Sequence, residues 1–179
     1  KKAKNQKSSV ASEVFSWILT MAAAVALALV LKNFVIINAE VPTGSMENTI
    51  MTNDKLIALR TSYWFKDPKR GDIIIFKYPD DETEWFIKRV IALPGETVLV
   101  KDGKVYINGS KKALSEPYIK EEPVEDFGPY KVPKNGYFVM GDNRNNSNDA
   151  RDWETHYVSR DEILGKAWFR YYPSIKVIK

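Results

Sequence analysis

The sequence predicts a mostly β protein behind a single N-terminal membrane-spanning helix. Three observations carry that prediction. Residues 17–31 hold no charge. Most of the chain beyond residue 50 breaks into short runs rich in β-branched residues, each bounded by turn formers. Nine Pro and nine Gly leave little room for further long helices. A chain of 179 residues and 20.5 kDa allows one anchored domain with one globular core.

Residues 1–14 form a basic, polar tail in which Lys1, Lys2, Lys4 and Lys7 crowd together. The net charge of +4 is thus partly local, whereas a nucleic-acid partner would require a basic face on the folded domain. The span extends over 15–37, interrupted only by Lys32 and Asn33. At ~1.5 Å per residue it covers about 34 Å, enough for a ~30 Å hydrocarbon core. Lys32 lies close enough to the far end to snorkel. A cleaved signal peptide would find small residues at Ala22–Ala24, but the apolar run continues well beyond them. The lysines ahead of the span place the N-terminus in the cytoplasm and residues 38–179 on the extracytoplasmic side of the cell membrane. With no cysteine, the chain has neither disulfides nor thiolate metal sites.

Strands are expected at 54–60 (DKLIALR), 72–78 (DIIIFKY) and 84–93 (EWFIKRVIAL), the last stopped by Pro94-Gly95. Between the first two, Tyr63-Trp64-Phe65 is either core or an aromatic belt at the lipid interface. Residues 97–101 and 104–107 flank Asp102-Gly103, a two-residue hairpin signal. Residues 109–134 are polar and Pro-rich, with solvated charges expected at Glu121, Glu122, Glu125 and Asp126. Further strands are expected at 137–140 and 166–172.

Three stretches could carry chemistry. In Val41-Pro42-Thr43-Gly44-Ser45-Met46, Pro42 fixes its own φ and Gly44 admits a backbone conformation closed to side chains. Such a turn can push the Ser45 hydroxyl forward beside free N–H groups, as a nucleophile with an oxyanion site requires, though the composition also suits an ordinary loop. Alternation along 84–93 puts Lys88 on one face with Phe86, Val90 and Ala92. Two fates are open to that lysine: a satisfied structural salt bridge, or desolvation that keeps it neutral and able to act as a base. The third stretch is the polar loop Gly141–Arg151, where Asp149 can pair with Arg151 and Ser147 can hydrogen-bond a neighbour; a solvated turn is the plain alternative. Its Asp/Asn spacing lacks the bidentate Glu of a calcium loop. His156 has no motif around it and reads as a surface residue. No HExxH, CxxC or Gly-rich phosphate loop occurs, so no metal or cofactor is expected.

Taken together, these stretches resemble the bacterial type I signal peptidases, specifically the Gram-positive P-type branch. The resemblance rests on Thr43-Gly44-Ser45-Met46 after the span, residues 72–76 (DIIIF), Lys88-Arg89 followed by Leu93-Pro94-Gly95-Glu96, and Gly141-Asp142-Asn143-Arg144 with Ser147, Asp149 and Arg151. It implies an antiparallel β-sheet catalytic core with a small inserted β subdomain at about 97–134. It further implies a Ser/Lys dyad, with Ser45 as nucleophile and Lys88 as general base. Thr43 would complete the oxyanion site with the Ser45 N–H, Ser147 would orient the lysine amine, and Asp149 with Arg151 would brace the site. Val41 and Ile87 match positions that separate two small pockets for residues −1 and −3 of a signal peptide. Ala150 stands where many members carry serine. The implied partners are exported preproteins, the lipid bilayer and the protein-export translocon. Rival readings are a maturation factor for a single pilus or secretion-system substrate, or a non-catalytic β domain binding such proteins.

Overall fold

The computed structural model describes residues 2–178, with side chains from residue 10 onward. The chain divides into two compact units, residues 1–36 and 37–179. In the first, helix α1 (Lys2–Val30) continues into a wide turn over Leu31–Val35, closed by the Ile36 N–H on the Leu31 carbonyl. Val10–Val35 is long and apolar enough to cross a membrane, its most apolar 18-residue window having a mean hydropathy of 2.4. Its large side chains, among them Phe15, Trp17 and Met21, are exposed, as suits a segment whose solvent is lipid. The tail expected over 1–14 is helical from Lys2; the side chains of its first nine residues lie outside those described. The helical stretch stops at Val35, short of Ile37, because Ile36 is already extended and begins β1 (Ile36–Glu40).

The second unit is built on antiparallel strands. Those expected from the sequence appear as β2 (Lys55–Leu59), β3 (Ile73–Tyr78), β4 (Asp81–Ala92), β5 (Thr97–Lys101), β6 (Lys104–Ile107), β8 (Gly136–Met140) and β10 (Ile163–Tyr172). Added to them are β1, β7 (Phe127–Lys131), β9 (Val158–Ser159) and β11 (Lys176–Val177). The larger sheet runs β1-β2-β10-β3-β4-β8-β9, with β11 beside β10; a smaller sheet runs β6-β5-β7. Asp102 and Gly103 both take positive φ, 50° and 75°, the primed turn that suits a two-residue hairpin. At the end of β4, the Glu96 carboxylate accepts the Leu93 N–H at 2.7 Å and Arg70 at 2.7 Å, closing the turn through Gly95 at φ 80°.

Alternation on β3 explains why the large sheet has two packed faces. Ile73 and Ile75 join Val41, Met46, Ile50 and Leu56, while Ile74 and Phe76 join Val90, Phe138, Met140 and Trp153. The alternation expected through 84–93 holds only in part. A register shift between Val90 and Ala92 puts Val90, Ile91 and Ala92 into one cluster. Tyr63 belongs to the core, buried with its hydroxyl on Asp72 at 2.9 Å, whereas Trp64 and Phe65 are exposed, Phe65 at 96%. Glu121, Glu122, Glu125 and Asp126 are exposed, as their composition suggests.

Candidate active site

Ser45 lies in a short helical turn after Pro42. The Glu47 N–H returns to the Gly44 carbonyl at 3.1 Å and the Ile50 N–H to the Met46 carbonyl at 2.8 Å. Met46 and Ile50 are buried and anchor the turn to the core, so Ser45 is held rather than carried on a free loop. Gly44 serves differently from the expectation. Its φ is not left-handed; a Cβ there would stand 2.6 Å from the Glu47 carboxylate. The positive φ of this turn is at Asn48, 88°. Among the described residues the Ser45 N–H has no partner, and the Thr43 hydroxyl lies 3.4 Å from Ser45 Oγ.

Strand β4 brings Lys88 to this turn, with its Nζ 2.8 Å from Ser45 Oγ. Lys88 is only 4% exposed, and its ammonium stands 5.2 Å from the Phe86 ring centre. Burial pushes its pKa down to about 8, against the opposing pull of Asp149. At pH 7 that leaves about 10% of the amine neutral, where a free lysine would have ~0.04%. No salt bridge holds Lys88 among the described residues; the acid nearest in effect, Asp149, is bonded elsewhere. Arg151 binds both its oxygens, Nε at 2.9 Å and Nη2 at 3.0 Å. This pairing keeps Asp149 from acting as a free counter-charge that would fix the lysine in its protonated form.

The loop after β8 folds back on itself. The Gly141 N–H donates to Asp149 at 2.9 Å, and Arg151 Nη2 to the Arg144 carbonyl at 2.6 Å. Gly141 must be glycine here, since a Cβ would collide with Ser147 Oγ and the Ser45 carbonyl. Ala150 is fully buried, a place that suits a methyl group. Ser147 comes to the site, but its hydroxyl is buried and has no hydrogen-bond partner among the described residues. The expected bond to the Lys88 amine is not made.

All the predicted residues except Asp149 and Arg151 line one cleft of about 820 Å³: Val41, Thr43, Ser45, Ile87, Lys88 and Ser147. The edges of two strands border it. On the side facing β8, β4 is paired only from Arg89 onward among the described residues, leaving 84–88 open to a peptide backbone.

Two supporting groups escaped the sequence reading. Asn143 clamps the nucleophile turn, its N–H on the Ser45 carbonyl at 3.1 Å and its Nδ2 on the Gly44 carbonyl at 2.9 Å. Arg89 and Asp142, 2% and 0% exposed at their side chains, form a buried pair with contacts of 2.7 and 2.8 Å. Only their places beside Lys88 and Gly141 hinted at either. His156 is not a free surface residue: its Nδ1 lies 2.9 Å from the Ala150 carbonyl and its ring meets Phe127 and Tyr130 edge-on. Among the described residues no three His, Cys, Asp or Glu side chains gather to hold a metal.

Comparison with known proteins shows the family to which the chain belongs. The family described as signal peptidase, peptidase S26, matches residues 14–172. A probable signal peptidase I-2 of Synechocystis sp. is 44% identical, covering 88% of this chain and 73% of its own. The signal peptidase I of Leptolyngbya laminosa is 44% identical over 90% of this chain and 81% of its own. That of Bacillus amyloliquefaciens is 36% identical over 99% and 98%.

Proposed function

Because this chain belongs to the type I signal peptidases of the peptidase S26 family, endopeptidases that remove signal peptides, we propose that it cleaves with Ser45 as nucleophile and Lys88 as general base. The observation that carries the reading is the 2.8 Å contact between Lys88 Nζ and Ser45 Oγ in a buried setting that lowers the lysine pKa to about 8. Neutral Lys88 takes the Ser45 proton as Oγ attacks the scissile carbonyl. The tetrahedral oxyanion is met by the Ser45 N–H and the Thr43 hydroxyl. On collapse, the lysine ammonium gives its proton to the departing amine, leaving the signal peptide esterified to Ser45. Lys88, neutral again, then deprotonates a water that attacks the ester, and the proton returns to Ser45.

Ser147 supports this cycle as the second partner of the amine. A buried, unpaired hydroxyl costs roughly 1–3 kcal/mol, and a neutral amine has N–H groups to offer once its lone pair faces Ser45. A small rotation joining the two would aim that lone pair. Asp149 and Arg151 brace the loop that carries Ser147. Val41 and Ile87 wall the small pockets for residues −1 and −3, with the peptide backbone added along the open edge of β4.

The exported preprotein is the substrate partner. We place the span within residues 15–35, where the helical stretch ends, the basic tail of residues 1–14 in the cytoplasm, and the peptidase domain, from β1 at Ile36 onward with its subdomain at about 97–134, beyond the membrane. Trp64 and Phe65 are then available to the bilayer, and the protein-export translocon delivers the substrate. The test is purified protein in detergent with a preprotein substrate, beside Ser45→Ala and Lys88→Arg. Neither variant turns over, since an arginine stays protonated; appreciable cleavage by Lys88→Arg would remove the dyad.

A further inference from the structure

The insertion between β6 and β7 of the small sheet reaches back to the active site through one irregular segment, residues 116–120. Glu116, 6% exposed at its side chain, holds the fully buried Arg144 in a forked pair at 2.6 and 3.0 Å. Arg144 in turn donates from Nε to the Gly141 carbonyl at 3.0 Å and accepts Arg151 at its own carbonyl. Tyr118 lays its ring 3.8 Å from the Arg89 guanidinium, and the Lys120 N–H donates to the Asp142 carbonyl at 3.0 Å. The same segment grips the nucleophile turn. Asn48 Nδ2 donates to the Tyr118 carbonyl at 2.9 Å, and Lys120 pairs with Glu47 at 2.7 Å.

We propose that Glu116 is a positioning residue for cleavage, acting through Arg144 to set the loop Gly141–Arg151 against Ser45 and Lys88. This assignment rests on Ser45 and Lys88 being the catalytic dyad. Arg144 fastens both ends of that loop, one through its side chain at Gly141 and the other through its carbonyl at Arg151. Between those ends lie Ser147, which lines the cleft with Lys88, and Asp149, which Arg151 holds by both oxygens. A guanidinium has a planar fork, and a carboxylate that takes both of its arms fixes the direction as well as the distance. Buried ion pairs are poor sources of stability, and an apolar pair of similar volume often folds as well or better. The Glu116–Arg144 pair is therefore better explained by the geometry it imposes than by stability. Glu47–Lys120 and Asn48 extend the same frame to the nucleophile, so one segment registers both halves of the dyad.

That distinction sets the experiment. Glu116→Gln and the double variant Glu116→Leu/Arg144→Met are compared with the parent in detergent, each at least ten degrees below its melting temperature. The substrate is a peptide with Ala at −1 and −3. The expected result for both is a kcat at least tenfold lower with KM within twofold, and a double variant that melts within a few degrees of the parent. A double variant with the parental kcat, or a loss confined to KM, overturns the assignment. Lys88→Arg run in the same assay separates the two ideas, because its turnover would fail the dyad while leaving the Glu116 measurement readable as it stands.

Discussion

Replacing Lys88 by methionine should destroy activity and stabilise the fold. Burial lowers the lysine from 10.5 to about 8. At about 1.36 kcal/mol per unit, keeping it protonated in the folded state costs about 3 kcal/mol near pH 7. Methionine keeps the stem and removes the charge, but forfeits the hydrogen bond to Ser45, worth about 1 kcal/mol. The net gain is about 2 kcal/mol, or roughly 4–8 °C in melting temperature for a chain of this size. Its pH dependence is fixed in sign. The folded pKa lies below the unfolded one, so the unfolded chain holds the extra proton between pH 8 and 10.5. The parent therefore gains stability across that window, and the advantage of methionine is full below pH 8 and gone above 10.5. Thermal unfolding in detergent at pH 7, 9 and 10.5, beside a cleavage assay, reads both effects. A methionine variant less stable than the parent at pH 7, or a gain that persists unchanged at pH 10.5, would refute the burial argument.

Two further outcomes belong to the same site. The kcat/KM profile should rise through an acid limb near pH 8, where Lys88 loses its proton in the free enzyme; a limb near pH 10 would mean a solvated lysine. Thr43→Val, which removes the hydroxyl 3.4 Å from Ser45 Oγ, should lower kcat by roughly 10²–10³ with KM little changed, while Thr43→Ser keeps most activity; wild-type turnover by the valine variant would exclude Thr43 from the oxyanion site.

What the sequence made legible lay in local pattern. The Ile73–Tyr78 run and the Asp102-Gly103 turn declare themselves within a few residues. β1 was hidden because Ile36 and Ile37 extend the apolar run and serve a strand as readily as a helix. β7 contains Gly128 and Pro129, which strands tolerate at a sheet edge, its position beside β5. β9 and β11 are two residues each, too short for any period to show. In the site, Ser45 and Lys88 stood out because a turn and a lysine in an apolar row are local signals. Asn143 and Glu116 did not, since their meaning lies in partners distant along the chain: Gly44 for one, Arg144 for the other. The geometry of Ser147 was not legible either, because a hydroxyl's rotamer depends on packing that no spacing encodes.

Strand β4 also decides where this chain can change length. Ile87 packs with the cluster around Ile75, Lys88 meets Ser45, and Arg89 meets Asp142, three neighbours with three separate partners. Their pairing across to β3 is in strict register, Ile75 with Ile87, Ile74 with Lys88 and Ile73 with Arg89. One residue inserted or deleted between Trp85 and Arg89 would exchange the two faces of the sheet, setting a pocket wall where the base belongs. The hairpin tip before Asp81 bears no such load, and the register already shifts between Lys77 and Tyr78. Natural variation in length should therefore gather at that tip and be absent from the strand it feeds.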